Sequence, residues 1–437
     1  SLSIVDALGN DSWGVGIYVR DSSNVSITMG IVSGSVAANY TSGYYGGGIY
    51  VEGNSKLSLD SVTLSDNTAY AGGGLAVDDY STATLVSVVF DSNEAEDRGG
   101  GLDVAAASSV SCVGCEFSDN VAVDGGGVEV RGSSSFTDIS GDYSGNEASD
   151  DGGAVHINVG AASFDGTSFT GNEASAAGGA IYGYTTTSAL VIANAAFSSN
   201  TATADDGGAI AAIRRTDLDV SNSSFDSNSS VFGDGGAIRF APGFVTHDLT
   251  VDATVFEDND AGGDGGAVSV LKGDEIIFLD VGFIRNTADG DGGAISIDRA
   301  DQTTGERLLL HGNTAADSGG AWCERDTISP GSLTNVLVVE NTASQGAGLF
   351  FDGVNDTYVV NNTLVGNDAS NSGAHLYVST GTVRFINNVF AWGQDGGGIY
   401  GDGTAATGSD IYYNDAYSNS GGEYVGAFSS QTGFSGN

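Results

Sequence analysis

Proline, lysine and cysteine are scarce in this chain. Its 437 residues contain 2 prolines, 3 cysteines and only two lysines, Lys56 and Lys272. A structural zinc site of the usual spacing needs two cysteine pairs, so three cysteines do not predict one. The pair in "CVGC", Cys112 and Cys115, fits either small residues on a strand or a local disulfide. No run of about 18 apolar residues occurs, which excludes a membrane-spanning helix.

Basic residues are also few, and this scarcity leaves a large negative charge. The chain has 13 basic and 56 acidic residues, a net charge of −43 and a pI near 4.1. Such a charge excludes nucleic acid as a partner and disfavours anionic membrane surfaces. It suits cations or a high-salt setting. Hydrophobic residues make up 40% of the chain, which is enough for a continuous core and argues against disorder.

Glycine, at 69 residues, is abundant and marks an internal repeat. One asparagine recurs every 26 to 31 residues, usually three residues after a Phe or Tyr and five to seven residues before Gly-Gly. We expect these asparagines to stack at a turn, each amide bonding the next. The predicted ladder comprises Asn93, Asn120, Asn146, Asn172, Asn200, Asn228, Asn259, Asn286 and Asn313.

The segments around each Gly-Gly have the two-residue alternation of strands. Val128 and Val130 flank Glu129, and Val155 and Ile157 flank His156. No stretch shows the 3.6-residue apolar rhythm of a helix. Short strands, glycine turns and a fixed repeat predict an all-β parallel solenoid of about 14 coils with roughly 27 residues per coil. Coils about 4.8 Å apart would give a rod of roughly 65–70 Å.

The repeats resemble a known family. "FSDNVAVDGGGVEV" (117–130), "FTGNEASAAGGAIY" (169–182) and "FIRNTADGDGGAISI" (283–297) each combine F-x-x-N with Gly-Gly or Gly-Gly-Ala and a branched residue. This tandem pattern resembles the repeats of the polymorphic outer-membrane protein family, first described in chlamydial surface proteins. The pattern is clear from about residue 64 to 321 and degenerate in 1–63 and 322–437. The resemblance implies a right-handed parallel β-helix displayed at a cell surface, often as an adhesin or autotransporter passenger.

An aspartate often stands directly before Gly-Gly, and solenoid stacking would place these carboxylates in a column. Three interpretations stay open: turn chemistry, since Asp favours turns before Gly; salt adaptation; and calcium binding, since calcium takes six to eight oxygen ligands. On the calcium hypothesis the candidate ligands are Asp206, Asp234, Asp264, Asp291 and Asp289.

Parallel β-helices include pectin-degrading enzymes, so a catalytic site has to be considered. On the strand after Gly-Gly, the residues expected to point outward include Asp103, Glu129 and His156, one coil apart. Asp103 and Glu129 would then approach the roughly 5–5.5 Å separation of a retaining glycosidase pair. The competing interpretation is a solvated face with a stray histidine. A second candidate pair is Asp205 and Asp206.

The same outward positions carry aromatic residues near both ends of the chain. They are Tyr18, Tyr50, Phe350, Tyr377 and Tyr400. Exposed aromatic rows of this kind can stack on sugar rings or bury at a partner surface.

The sequence favours a non-enzymatic structural or adhesive β-helical rod, secreted or associated with the outer membrane. We expect one continuous β-helix over 1–437, which is compatible with a slice of a longer chain. Candidate partners are a second copy stacked end to end, or surface glycans and proteins; calcium is the candidate cofactor. The alternative is a polysaccharide lyase or glycoside hydrolase of the β-helix type.

Overall fold

The structure is a computed structural model that describes residues 2–5, 7–9, 16–37, 45–243, 246–403 and 409–431. These residues form two compact units, 1–219 and 220–437. Among them the only helix is a single 3₁₀ turn, Ser429–Gln431. The rest is a parallel β-solenoid of about fifteen turns with about 27 residues per turn. The predicted fold class is therefore confirmed.

Each turn has up to four strand positions, which we call columns A to D in chain order. Column A follows Gly-Gly, column B precedes the aromatic residue, column C contains it, and column D follows the asparagine. Equivalent residues of successive turns pair in parallel register, for example Leu102 with Val128 in column A and Phe117 with Tyr143 in column C.

In the first unit, column A consists of Ile17–Val19, Ile49–Val51, Leu75–Val77, Leu102–Val104, Val128–Arg131, Val155–Asn158, Ile181–Tyr184 and Ile210–Ile213. Two strands run through both columns B and C, namely Asn24–Ser33 and Lys56–Ser65. Column B also has Thr82–Val86, Ser109–Val113, Ser135–Ile139, Ala161–Asp165 and Leu190–Ala193. Column C also has Leu2–Val5, Val89–Asp91, Glu116–Ser118, Asp142–Ser144, Ser168–Thr170 and Ala196–Ser198. Column D has Leu8–Gly9, Val36–Ala37, Thr68–Ala71, Glu94–Arg98, Val121–Ala122, Glu147–Ala148, Glu173–Ala174 and Thr201–Ala202.

One further column B strand, Leu218–Ser221, begins in the first unit and ends in the second. In the second unit, two strands run through both columns A and B, namely Val268–Leu279 and Ile295–Glu306. Column A also has Ile238–Ala241, Trp322–Arg325, Leu349–Asp352, Leu376–Val378, Ile399–Gly401 and Tyr424–Gly426. Column B also has Leu249–Asp252, Ser332–Thr334, Val354–Val360, Gly381–Ile386 and Asp410–Tyr412. Column C has Ser224–Asp226, Val255–Glu257, Gly282–Ile284, Leu309–His311, Leu337–Val339, Thr363–Val365, Val389–Ala391 and Asp415–Tyr417. Column D has Ser229–Ser230, Asp260–Ala261, Thr287–Ala288, Thr314–Ala315, Thr342–Gln345 and Asp368–Ser372.

Aromatic rings of column C form a stacked file inside each unit. In the first unit Phe90 and Phe117 have ring centroids 4.5 Å apart, and their planes differ by 1°. In the second unit the centroids of Phe256 and Phe283 are 4.9 Å apart. All four rings are fully buried. Stacked rings at this distance add to the stability that burial of their apolar area already provides.

The asparagines form a ladder beside this file. Asn146 donates from Nδ2 to the carbonyl of Phe117 (2.8 Å) and to Oδ1 of Asn172 (2.9 Å). Its own Oδ1 accepts from the backbone N–H (3.2 Å) and the Nδ2 (2.9 Å) of Asn120. Every polar atom of the amide has hydrogen-bond partners. These bonds compensate for the loss of water, so the side chain can be fully buried. The second unit repeats these bonds, as at Asn286.

The first glycine of each Gly-Gly turns the chain back over column A. Gly125 has φ +59°, and a Cβ at this position would lie 2.3 Å from the carbonyl oxygen of Val128. Only glycine fits such a left-handed, close approach. The fold-back brings the residue before Gly-Gly, here Asp124, above the column A strand of the same turn. The first three residues of that strand, Val128–Arg131, are consequently buried.

Candidate functional site

The middle residues of column A are covered rather than solvated. Asp103, Glu129 and His156 are 1%, 2% and 6% exposed. The expectation of an outward, solvated face was therefore wrong, because the loop that enters Gly-Gly folds over these side chains. The expectation that the three residues lie one turn apart is correct, since Asp103 pairs with Glu129 and Glu129 with His156.

Each carboxylate in this buried cluster contacts a cation. Arg131 donates to both oxygens of Asp103, from Nε at 3.0 Å and from Nη2 at 2.9 Å. Nδ1 of His156 lies 2.6 Å from Oε2 of Glu129. On the next turn Tyr182 packs beside the imidazole, with ring centroids 5.3 Å apart. We call Asp103, Glu129, Arg131 and His156 the charge cluster.

Burial and the neighbouring charges shift the pKa values of this cluster. Burial by itself would lower the pKa of His156, but the carboxylates of Glu129, Asp124 and Asp151 raise it to about 9. Burial raises the pKa of Asp103 to about 6, in spite of the opposing effect of Arg131. His156 is therefore an imidazolium at neutral pH and forms an ion pair with Glu129.

Three further carboxylates crowd the loop above the cluster. Asp124, Asp150 and Asp151 bring one oxygen each within 4.8 Å of the others. Oδ1 of Asp151 accepts the backbone N–H of Ala177 at 3.1 Å, while burial raises the pKa of Asp151 to about 6. This group has the donor chemistry that a hard divalent cation prefers.

In the second unit the aspartates before Gly-Gly link successive turns. Oδ1 of Asp234 accepts the backbone N–H of Asp264 at 2.8 Å, and Oδ1 of Asp264 accepts that of Asp291 at 2.8 Å. Arginines contact two of these aspartates: Arg239 lies 2.8 Å from Oδ2 of Asp234, and Arg325 contacts Asp291. These carboxylates thus have a structural role as a second ladder.

The other two calcium candidates occupy different settings. Asp206 lies in the first unit, where it is half-buried and its carbonyl accepts the N–H of Gly178 at 3.0 Å. Asp289 is exposed at the end of a column D strand, and its charge contributes to the raised pKa of Asp260, whose first cause is burial. Of the five candidates, Asp234, Asp264 and Asp291 are thus neighbours on successive turns of the second unit.

The aromatic residues of column A are buried for the same reason as the charge cluster. Tyr50, Phe350 and Tyr377 are only 2%, 4% and 7% exposed. Phe350 stacks on Tyr377 at 5.3 Å, and Tyr377 stacks on Tyr400 at 4.9 Å. The expectation of exposed aromatic rows was therefore wrong at these three positions, whereas the predicted Tyr18 and Tyr400 are half-buried.

The arrangement favours a structural network over a catalytic pair. Asp103 and Glu129 face cations instead of solvent, and a polymeric substrate would have to displace the overlying loop to reach them. Sequence reasoning missed Arg131 and Arg325 as partners of these carboxylates. A signal for Arg131 was present, because Glu129 and Arg131 alternate on one strand. Arg325 and Asp291 are 34 residues apart, and no local sequence pattern indicates that they pair.

Comparisons with known proteins agree with this fold. The family description "Right handed beta helix region" matches residues 3–157, and the "Chlamydia polymorphic membrane protein (Chlamydia_PMP) repeat" matches residues 166–184. The fold is that of a parallel β-helix, and residues 166–184 are similar to a repeat of the polymorphic membrane protein type. Neither the curated proteins nor the solved structures contain a match. The resemblance seen in the repeats is thereby confirmed.

Helices that could cross a lipid bilayer are absent from the part of the chain that the structure describes.

Proposed function

We propose that this β-helix is a non-enzymatic structural and adhesive scaffold, secreted or displayed at a cell surface. The observation that carries the proposal is the burial and pairwise neutralisation of the charge cluster. Asp103 and Glu129 contact Arg131 and His156 with almost no exposure, so they stabilise the turn instead of offering a free acid and base. The repeats of the polymorphic membrane protein type support the surface location.

The repetitive construction also suits a scaffold. Fully bonded Asn ladders and stacked aromatic files recur in both units, so each turn stabilises its neighbour and an extended surface is held rigid. The net charge of −43 keeps such a surface solvated and repels anionic partners. End-to-end association of copies and calcium binding at Asp124, Asp150 and Asp151 belong to the same proposal.

Two assays run side by side test this function. Beads coated with the protein are flowed over surfaces carrying neutral polysaccharides, acidic polysaccharides or proteins, while the soluble protein is incubated with the same polysaccharides and the products are measured. We expect adhesion above that of uncoated beads and no release of new reducing ends or unsaturated products. Product release that Glu129→Gln abolishes, with the fold intact by circular dichroism, would instead establish the polysaccharide-processing enzyme. Adhesion equal to uncoated beads on every surface would refute the adhesive role.

A further inference from the structure

Two corners of each turn require a left-handed backbone. In the second unit, the corner between columns C and D has φ between 53° and 67° wherever a residue is described at it. Its residues are Ser227 (φ 56°), Asp258 (54°), Arg285 (54°), Gly312 (67°), Glu340 (54°), Gly366 (65°), Trp392 (57°) and Ser418 (57°). The corner between columns B and C has Asn222, Ala253, Asp280, Arg307, Asn335, Asn361, Asn387 and Tyr413.

Trp392 and Tyr413 are the aromatic residues among those described at these corners of the second unit. Glycine, asparagine, aspartate and serine tolerate the left-handed region, whereas a bulky side chain there is an outlier. Trp392 is 56% exposed and Tyr413 is 70% exposed, so neither gains burial in return. A bulky residue in this backbone region is strained, and both residues hold their rings largely in solvent at that cost.

The two residues lie on successive turns: Trp392 follows the column C strand Val389–Ala391, and Tyr413 precedes the next column C strand. Tyr417 lies on this strand, Asp415–Tyr417, and pairs with Ala391 of the preceding turn. The rings of Trp392 and Tyr417 are 5.5 Å apart and nearly perpendicular, and those of Tyr412 and Tyr413 are 6.4 Å apart. Tyr412 is 53% and Tyr417 is 38% exposed. Along the strand, Tyr413 and Tyr417 are separated by about 13 Å.

The chemistry of this surface fits a glycan better than a protein. The rings present apolar faces with polar tips, and the exposed carboxylate of Asp415 lies between them as a hydrogen-bond acceptor. Polar residues interrupt the rings, so the surface combines apolar faces with hydrogen-bonding groups, which is what stacking and bonding to a sugar ring require. The net charge of −43 disfavours anionic polysaccharides.

We propose that Trp392, Tyr412, Tyr413 and Tyr417 form a binding surface for an uncharged polysaccharide. Pyranose rings would stack on the exposed aromatic faces, while sugar hydroxyls would donate to Asp415. This inference rests on the proposed adhesive function and names the ligand class that the scaffold holds.

Affinity electrophoresis through gels containing dextran, galactomannan, xyloglucan or alginate tests the proposal. The test variant is Trp392→Gly with Tyr413→Asn, which restores the residue types of both corners. The control is Tyr80→Ala, which removes a tyrosine that is 66% exposed and also left-handed (φ 59°) from the first unit. We expect at least one neutral polysaccharide to retard the wild type and the control, and the double variant to bind about tenfold more weakly.

The double variant should melt at the same temperature as the wild type or higher, because it relieves strain, so lost retardation would not reflect unfolding. Equal retardation of all three proteins, or retardation by alginate alone, would overturn the proposal. The proposal would also be overturned if the double variant lost bead adhesion to protein-coated surfaces while its retardation in the gels stayed unchanged. The surface would then be a protein interface. Unchanged adhesion together with unchanged retardation would leave the scaffold function standing and refute only this surface.

Discussion

The Asn ladder of the second unit has one position without asparagine, and a histidine from another part of the turn occupies the space. Spacing places Gly393 between Asn367 and Asn419. A Cβ on Gly393 would lie 3.0 Å from Nε2 of His375, whose imidazole is fully buried there. Nδ2 of Asn367 lies 3.0 Å from Nδ1 of His375, and Nε2 lies 2.9 Å from Oδ1 of Asn419.

These contacts require a neutral imidazole. Asn367 donates to Nδ1, and the proton on Nε2 is donated to Asn419, so His375 reproduces the acceptor and the donor of the missing amide. A proton on Nδ1 would face the Asn367 amide hydrogens. Burial accordingly lowers the pKa of His375 to about 4, against the opposing effect of the hydrogen bond to Asn419.

The sign of the pH effect follows from this lowered pKa. The unfolded chain binds a proton near pH 6.5 and the folded chain only near pH 4, so acid favours unfolding. The stability from the neutral imidazole is complete above pH 6.5 and decreases as the pH falls. We expect His375 to account for a loss of about 2 kcal/mol by pH 5 and about 3 kcal/mol by pH 4.

Two variants separate the effect of His375 on the pH dependence of stability from the titration of the 56 acidic residues. His375→Ala leaves one N–H of the Asn367 amide without an acceptor, while the other still donates to the carbonyl of Val338, and it opens a cavity. Together these changes should cost roughly 2–4 kcal/mol at pH 7. His375→Ala with Gly393→Asn returns an amide to the ladder position and should recover most of that loss. The backbone of Gly393 is not left-handed, but the added Cβ would lie 3.0 Å from Cβ of Ala374 and from Oδ1 of Asn419, so these neighbours have to shift slightly. Glu423, which accepts from Asn419 at 2.5 Å, is present in every protein compared.

The assay is urea denaturation between pH 7 and pH 4, with hydrogen–deuterium exchange of peptides covering 363–399 as a local readout. Between pH 7 and pH 4, the unfolding free energy of the wild type should fall by about 3 kcal/mol more than that of the double variant. If both proteins lose the same stability over this range, His375 is not the neutral bridge of the ladder. If the double variant is no more stable at pH 7 than His375→Ala, the ladder geometry is not what the histidine replaces.

Three further outcomes are expected. Because the pKa of His156 is raised to about 9, the stability that its ion pair contributes is complete below pH 6.5 and is lost as the pH rises through 9. The unfolding free energy of the wild type should therefore fall by about 3 kcal/mol between pH 6.5 and pH 9. The variant Glu129→Gln with His156→Gln should not show this loss. Asn286→Ala removes the acceptor of two Asn259 N–H groups and should cost roughly 3–5 kcal/mol in urea denaturation, whereas exposed Thr314→Ala should change little; equal effects would contradict the ladder. Millimolar calcium should raise the melting temperature more than sodium chloride at matched ionic strength, and Asp151→Asn should remove the difference; equal rises would mean that the carboxylates only repel one another.

The sequence alone was sufficient for the fold class and for the ladder positions. Phe256, Asn259 and their equivalents recur with one spacing, and a parallel solenoid stacks equivalent positions, so a one-dimensional repeat determines which side chains meet in the core. The alternation of column A likewise predicted correctly that Asp103, Glu129 and His156 are neighbours on successive turns.

Only the tertiary structure decided what covers column A and which cations balance its carboxylates. The fold-back at Gly125 depends on a close backbone approach that no residue pattern reveals, and it turned an expected solvated face into a buried one. The bridging of Asn367 and Asn419 by His375 joins residues 8 and 44 positions apart that break the repeat instead of following it. The sequence repeat determines the contacts that every turn shares. Where a residue breaks the repeat, its contacts depend on which space and which partners the three-dimensional packing places within reach of its side chain.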